Sequence, residues 1–105
     1  MDSWAPISIG ANVLMNGDID LLSAQHDVDS PDFVGDARGI VIGDYVWLPL
    51  GIKIMPGVSI GRCAVVGTGS IVTSDVEPYA VVAGNPARLV KKRAEVDFVY
   101  VPSDL

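Results

Sequence analysis

Hydrophobic positions recur every six residues through residues 42–77, which read IGDYVW, LPLGIK, IMPGVS, IGRCAV, VGTGSI and VTSDVE. Ile42, Leu48, Ile54, Ile60, Val66 and Val72 head the blocks, and Val46, Ile52, Val58, Ala64, Ser70 and Val76 fill the fifth place. Glycine stands at the second or fourth place of every block but the last. A helix repeats every 3.6 residues and a strand every two, so neither explains a period of six, and a fixed period of this kind is the mark of a repeat architecture. Each block supplies a short strand and a corner, and three blocks close a coil with three flat sides. Coils stack as parallel strands about 4.8 Å apart, which places residues eighteen apart above one another. Glycine, Asn or Asp is expected at corners where the backbone needs positive φ.

The same phase is already present upstream, in IGANVL, MNGDID and LLSAQH, headed by Ile9, Met15 and Leu21. It breaks after His26 and resumes at Ile42. The predicted core is therefore three ladders: Ile9, Ile42 and Ile60; Met15, Leu48 and Val66; Leu21, Ile54 and Val72. Residues 27–41 form an insertion with four aspartates, Pro31 and two glycines, which predicts a loop extruded from the coil. A loop of this length in a compact domain is usually functional or disordered; the plain alternative is a solvated acidic loop, but it opens immediately after the only histidine in the chain.

Ahead of the repeat, Trp4 is placed to lie over an exposed apolar end. Below it, Asn85 followed by Pro86 has the form of a helix cap and first helical residue, so a short helix over 87–93 is expected to close the lower end. Residues 94–105 alternate Val96, Phe98 and Tyr100 with intervening positions, as an extra strand would. The reading is one domain over residues 1–93 and a tail over 94–105.

A chain of 105 residues buries only somewhat more than about 60% of its unfolded surface and gains from oligomerisation. Half of its residues are hydrophobic and 19% charged, a balance that suggests surface shared with a partner. The net charge of −6 argues against binding nucleic acid or an anionic membrane. Four of the seven basic residues nevertheless cluster at Arg88, Lys91, Lys92 and Arg93. The single cysteine, Cys63, excludes an intrachain disulfide and a cysteine-rich metal site. No apolar run is long enough to span a membrane and no signal peptide is visible, so a soluble cytoplasmic protein is expected.

The segments IGDYVW, PGVSIG and AVVGTGSIVTSDVEPYAVVAGNPARLVKKR, with the HD that opens the loop, resemble the hexapeptide-repeat acyltransferases. Most similar is the group of maltose, galactoside and capsule-type sugar O-acetyltransferases. The resemblance covers about residues 7–93. It implies an all-β left-handed parallel β-helix, an exception to the usual right-handed crossover, assembled as a homotrimer with acetyl-CoA in clefts between neighbours. His26 matches the family's catalytic histidine, a general base whose ordinary pKa suits removal of a proton from an acceptor hydroxyl. Its alternative is a hydrogen bond anchoring the loop. Trp47 matches a tryptophan at the reactive end of the cofactor, and packing at the trimer interface is the other reading. Thr68 and Thr73 match positions that the family sets along the pantetheine arm, whose amides an extended strand can pair; for Thr73 the other reading is a plain corner residue. Arg88 and Lys91 match residues that meet the phosphates of CoA; otherwise they are solvated charges at a helix end.

Two features depart from the family pattern. Pro49 and Leu50 stand where Gly and a small residue are usual, removing an N–H and adding bulk beside the thioester arm. The family also carries an upstream coil that helps hold the acceptor sugar, and this chain starts at what would be the middle. The expected activity is O-acetyl transfer from acetyl-CoA to a sugar or small hydroxylated acceptor; the alternative is a trimeric β-helix that binds CoA without turnover. A zinc enzyme on the same helix needs several histidines, and this chain has one.

Overall fold

The computed structural model describes residues 5–26 and 35–95, without the side chains of 25, 26 and 35–37. Trp4, the expected strand in the tail and most of the predicted loop lie outside the described residues. The chain winds as a left-handed parallel β-helix, and the described residues contain no helix. The first face carries β1 (Ile7–Ile9), β6 (Ile40–Ile42) and β9 (Ser59–Ile60). The second carries β2 (Leu14–Met15), β7 (Trp47–Leu48), β10 (Val65–Val66) and β12 (Ala80–Gly84), and the third β3 (Ile19–Leu21), β8 (Ile52–Ile54) and β11 (Ile71–Val72).

The registers reproduce the three ladders. Ile9 pairs with Ile42 and Ile42 with Ile60. Met15 pairs with Leu48, and Leu21 with Ile54 and then Val72. Val65 lies beside Trp47, which brings Val66 under Leu48. Every block head and fifth-place residue from Ile42 to Val76 is buried, Ser70 included. Each buried Ile, Leu or Val contributes about 1.5–3 kcal/mol relative to exposure. Among the described residues the first coil has a neighbour on one side only, and its Ile9 and Met15 are 47% and 37% exposed.

The two glycine positions answer two different physical demands. At the second place the next coil comes too close for a side chain: a Cβ on Gly43 would stand 2.7 Å from the backbone nitrogen of Arg62. At the fourth place the backbone turns through positive φ, as at Gly69 (φ 77). Asn12 and Asp18 also take positive φ, as expected, but so do Tyr45, Cys63 and Tyr79. All three are held there by rungs between coils: Tyr45 N–H to Ala11 C=O (3.0 Å), Cys63 N–H to Asp44 C=O (2.8 Å) and Tyr79 N–H to Arg62 C=O (3.0 Å).

Two boundaries differ from the sequence reading. The expected helix over 87–93 is instead a strand, β13 (Ala87–Lys92), antiparallel to β12 across a turn that holds Gly84 at φ 107 and a cis Asn85–Pro86 bond. A helix of about two turns is marginal without an apolar face to bury, and the last coil offers β12 as an open edge whose N–H and C=O groups a hairpin satisfies. The insertion also ends sooner than residue 41. Ile40 is wholly buried and already in β6, occupying the fifth place of its own block. The insertion leaves the coil as a two-stranded ribbon, β4 (Ala24–His26) antiparallel to β5 (Gly35–Ala37). Its neck is tied by the Arg38 N–H to the carbonyl of the buried Ser23 at 2.9 Å.

Candidate functional site

The outward sides of the three faces differ in character. The first presents Ser8, Val41 and Ser59 in register. The third presents Asp20, Lys53 and Ile71, with Asp20 and Lys53 ion-paired at 2.9 Å. The second presents an unbroken apolar row: Leu14, Trp47, Val65 and Val81. Lys91 of β13 pairs with Val81, so it stands on the same side at the lower end of that row. Arg88 pairs with Ala83 on the same hairpin.

Trp47 is 41% exposed, and its indole N–H donates to Asn16 Oδ1 at 2.7 Å. Below it, at the corner between second and third faces, Thr68 is exposed between Gly67 and Gly69. This corner is stitched to the hairpin by Ser70. Its hydroxyl donates to Gly67 C=O at 2.6 Å and accepts the Gly84 N–H at 3.0 Å.

Pro49 and Leu50 occupy the same corner one coil higher. Asn16 N–H donates to Leu48 C=O and Gly67 N–H to Val82 C=O, whereas Pro49, between them, has no N–H to give Val66. Leu50 is half exposed, and its Cδ1 is 3.8 Å from where a Cβ on Gly17 would stand.

The other two residues singled out in the sequence stand elsewhere. Thr73 follows β11 and is exposed at the corner between third and first faces. His26 closes β4, leaving from that same corner in the first coil, with its backbone opposite Gly35. Within one chain the width of the third face thus separates Trp47 and Thr68 from Thr73 and His26. Asn16, which sequence reasoning passed over, was discoverable from the ladder. Leu14 lies opposite Trp47, and Asn16 is two residues on along the same side.

A cavity of about 330 Å³ opens at the lower end of the prism. Val72, Val76 and Val82 line it, with Asp75, Glu77 and Arg88 among the polar contributors. Among the described residues no cluster of His, Cys, Asp and Glu could hold a metal ion, and no helix is long and apolar enough to cross a membrane.

No family model matches the sequence. Individual proteins do. A chloramphenicol acetyltransferase of Agrobacterium fabrum is 45% identical over 75 residues, covering 66% of this chain and 36% of its own length. A hexapeptide-repeat-containing acetyltransferase of Vibrio cholerae, solved with acetyl coenzyme A, superposes with a TM-score of 0.79 at 36% identity, over 84% of this chain and 50% of that one. A maltose O-acetyltransferase of Clostridium difficile gives a TM-score of 0.80 at 38% identity, over 85% and 49%. The chain belongs to the hexapeptide-repeat acyltransferases. It spans about half or less of the length of these relatives. Membership in the family accounts for the six-residue phase, and the AGNPA segment forms the turn of the β12–β13 hairpin.

Proposed function

We propose that this protein is an acetyl-CoA-dependent O-acetyltransferase whose acceptor is a sugar or another small hydroxylated molecule. The observation that carries the reading is the arrangement along the second face. Trp47 and Lys91 lie along one apolar strip that ends in the basic hairpin, and Thr68 stands at the corner beside it. An extended cofactor with a thioester at one end and phosphates at the other suits such a strip. The relatives support it: one neighbour holds acetyl coenzyme A, and the named acceptors of others are maltose and chloramphenicol.

Trp47 and Thr68 serve the reactive end and the pantetheine arm, while Arg88 and Lys91 meet the phosphates with charge-assisted hydrogen bonds. His26 and Thr73 come from the opposite corner. A cleft containing all six therefore needs two copies of the chain, and a closed ring of three places each second face against a neighbour's loop corner. It also covers the apolar row. In that cleft His26 takes the proton of the acceptor hydroxyl as the oxygen attacks the thioester carbonyl. The C–S bond then breaks, and the proton passes to the CoA thiolate. No side-chain nucleophile is required, and the reaction is assigned to the cytoplasm.

The pair Pro49–Leu50 favours a second reading, a trimer that binds CoA without turnover, because Leu50 projects from the corner beside the proposed arm. Thiol release from acetyl-CoA with a panel of sugars, alongside calorimetric titration with CoA and mass in solution, separates the readings. Release above background that disappears in His26→Ala supports the enzyme. CoA binding without release supports the second reading. A monomer that binds no CoA sinks both.

A further inference from the structure

We propose that Asn16 is a positioning residue that fixes the indole of Trp47 for the coenzyme, an inference that rests on the coenzyme assignment above. An indole has a single polar hydrogen and no acceptor, so one partner determines which way its ring edge points. That partner is Asn16 Oδ1, at 2.7 Å, reaching across one coil boundary. Because the indole can only donate, the amide orientation of Asn16 follows: its oxygen faces Trp47 and its NH₂ group is turned elsewhere. Among the described residues nothing else in the protein accepts from that NH₂ group.

The acceptor is itself held. Asn16 N–H donates to Leu48 C=O at 3.1 Å, and Met15 is paired with Leu48 in the ladder. Gly17 then turns the chain away at φ 118. Trp47 is anchored equally well, with its N–H on Ala64 C=O at 2.9 Å. Two fixed backbones thus hold one side-chain bond between them.

A bond between two exposed side chains adds little stability, because water competes for both groups. Its effect falls on orientation. Trp47 is 41% exposed and would otherwise exchange rotamers, a freedom that a bound ligand would have to remove. Held by Asn16, the ring presents one set direction on the apolar row where the thioester end is placed. The NH₂ group of the exposed Asn16 offers two donors beside it, suited to a carbonyl of the acyl or pantetheine arm.

The experiment uses the full chain with Trp4→Phe, which leaves Trp47 as the only tryptophan. Fluorescence anisotropy and emission of Trp47 are recorded without ligand for Asn16, Asn16→Leu and Asn16→Asp, and then KM for acetyl-CoA and kcat. Asn16→Asp keeps the acceptor oxygen and is the conservative rescue. The expected result is lower anisotropy of Trp47 in Asn16→Leu, a rise in KM of about threefold to tenfold, a smaller change in kcat, and recovery of the anisotropy in Asn16→Asp. Unchanged anisotropy and KM in Asn16→Leu overturn the proposal, as does Asn16→Asp behaving like Asn16→Leu. If the protein that keeps Asn16 binds no CoA, the coenzyme assignment fails, and the anisotropy alone still decides whether Asn16 fixes the ring.

Discussion

Gly84 donates its N–H to the hydroxyl of Ser70 at 3.0 Å, and that hydroxyl is wholly buried. A single side chain thus joins the last complete corner to the hairpin that carries Arg88 and Lys91. Replacing Ser70 by Ala removes the acceptor from Gly84 N–H and the donor from Gly67 C=O. The expected loss is about 1–3 kcal/mol of stability, seen as a lower denaturant midpoint with an unchanged slope. Ser70→Ala should also weaken CoA binding more than its effect on stability alone would suggest. A variant as stable as the parent would mean that the hydroxyl is dispensable to the hairpin.

The two glycine classes predict two kinds of damage. In Gly43→Ala the new Cβ meets the backbone at Arg62, so the coils must part, and nothing flexible can yield. In Gly69→Ala no atom lies within 4 Å, and the cost is that of positive φ alone, about 1–2 kcal/mol. Thermal or urea unfolding should therefore rank Gly43→Ala below Gly69→Ala. The reverse order would contradict the close approach of the coils.

The core was legible because the hydrophobic period and the backbone register are the same fact: a phase of six, three times repeated, can only stack Leu21, Ile54 and Val72. The hairpin was not. Asn85–Pro86 is locally compatible with a helix start, and only the unpaired edge of β12, which exists once the coil is built, decides for a strand. Tyr45, Cys63 and Tyr79 at positive φ were hidden for a related reason, since rungs formed by the neighbouring coil offset a local strain. Of the candidate site, Trp47 and the basic cluster could be picked out by resemblance. The separation of His26 from Trp47 by a whole face required the topology.

The hairpin charges are not equivalent. Lys92 is engaged by Glu77 at 3.4 Å and the Pro78 carbonyl at 2.8 Å, and Arg93 donates to Cys63 C=O at 2.8 Å. Among the described residues Arg88 makes only a long contact with its neighbour Ala87. Charge reversal at Arg88 or Lys91 is therefore expected to weaken CoA roughly tenfold or more, with the effect shrinking as salt is raised. Reversal at Lys92 should act mainly on stability. Titration with CoA at two ionic strengths distinguishes them, and equal losses at all three positions would count against a dedicated phosphate site.

The general-base assignment makes its own prediction about pH. A base must be unprotonated to act, so the rate should fall as pH is lowered and the base takes up its proton. On the alkaline side it should level off. His26→Ala should lower kcat by about 10²–10⁴-fold and abolish that inflection. KM for acetyl-CoA should change little, because His26 belongs to the opposite corner from Trp47 and Lys91. If the inflection survives in His26→Ala, the proton leaves by another route. A rise in KM with kcat intact would instead make His26 a residue that anchors the loop.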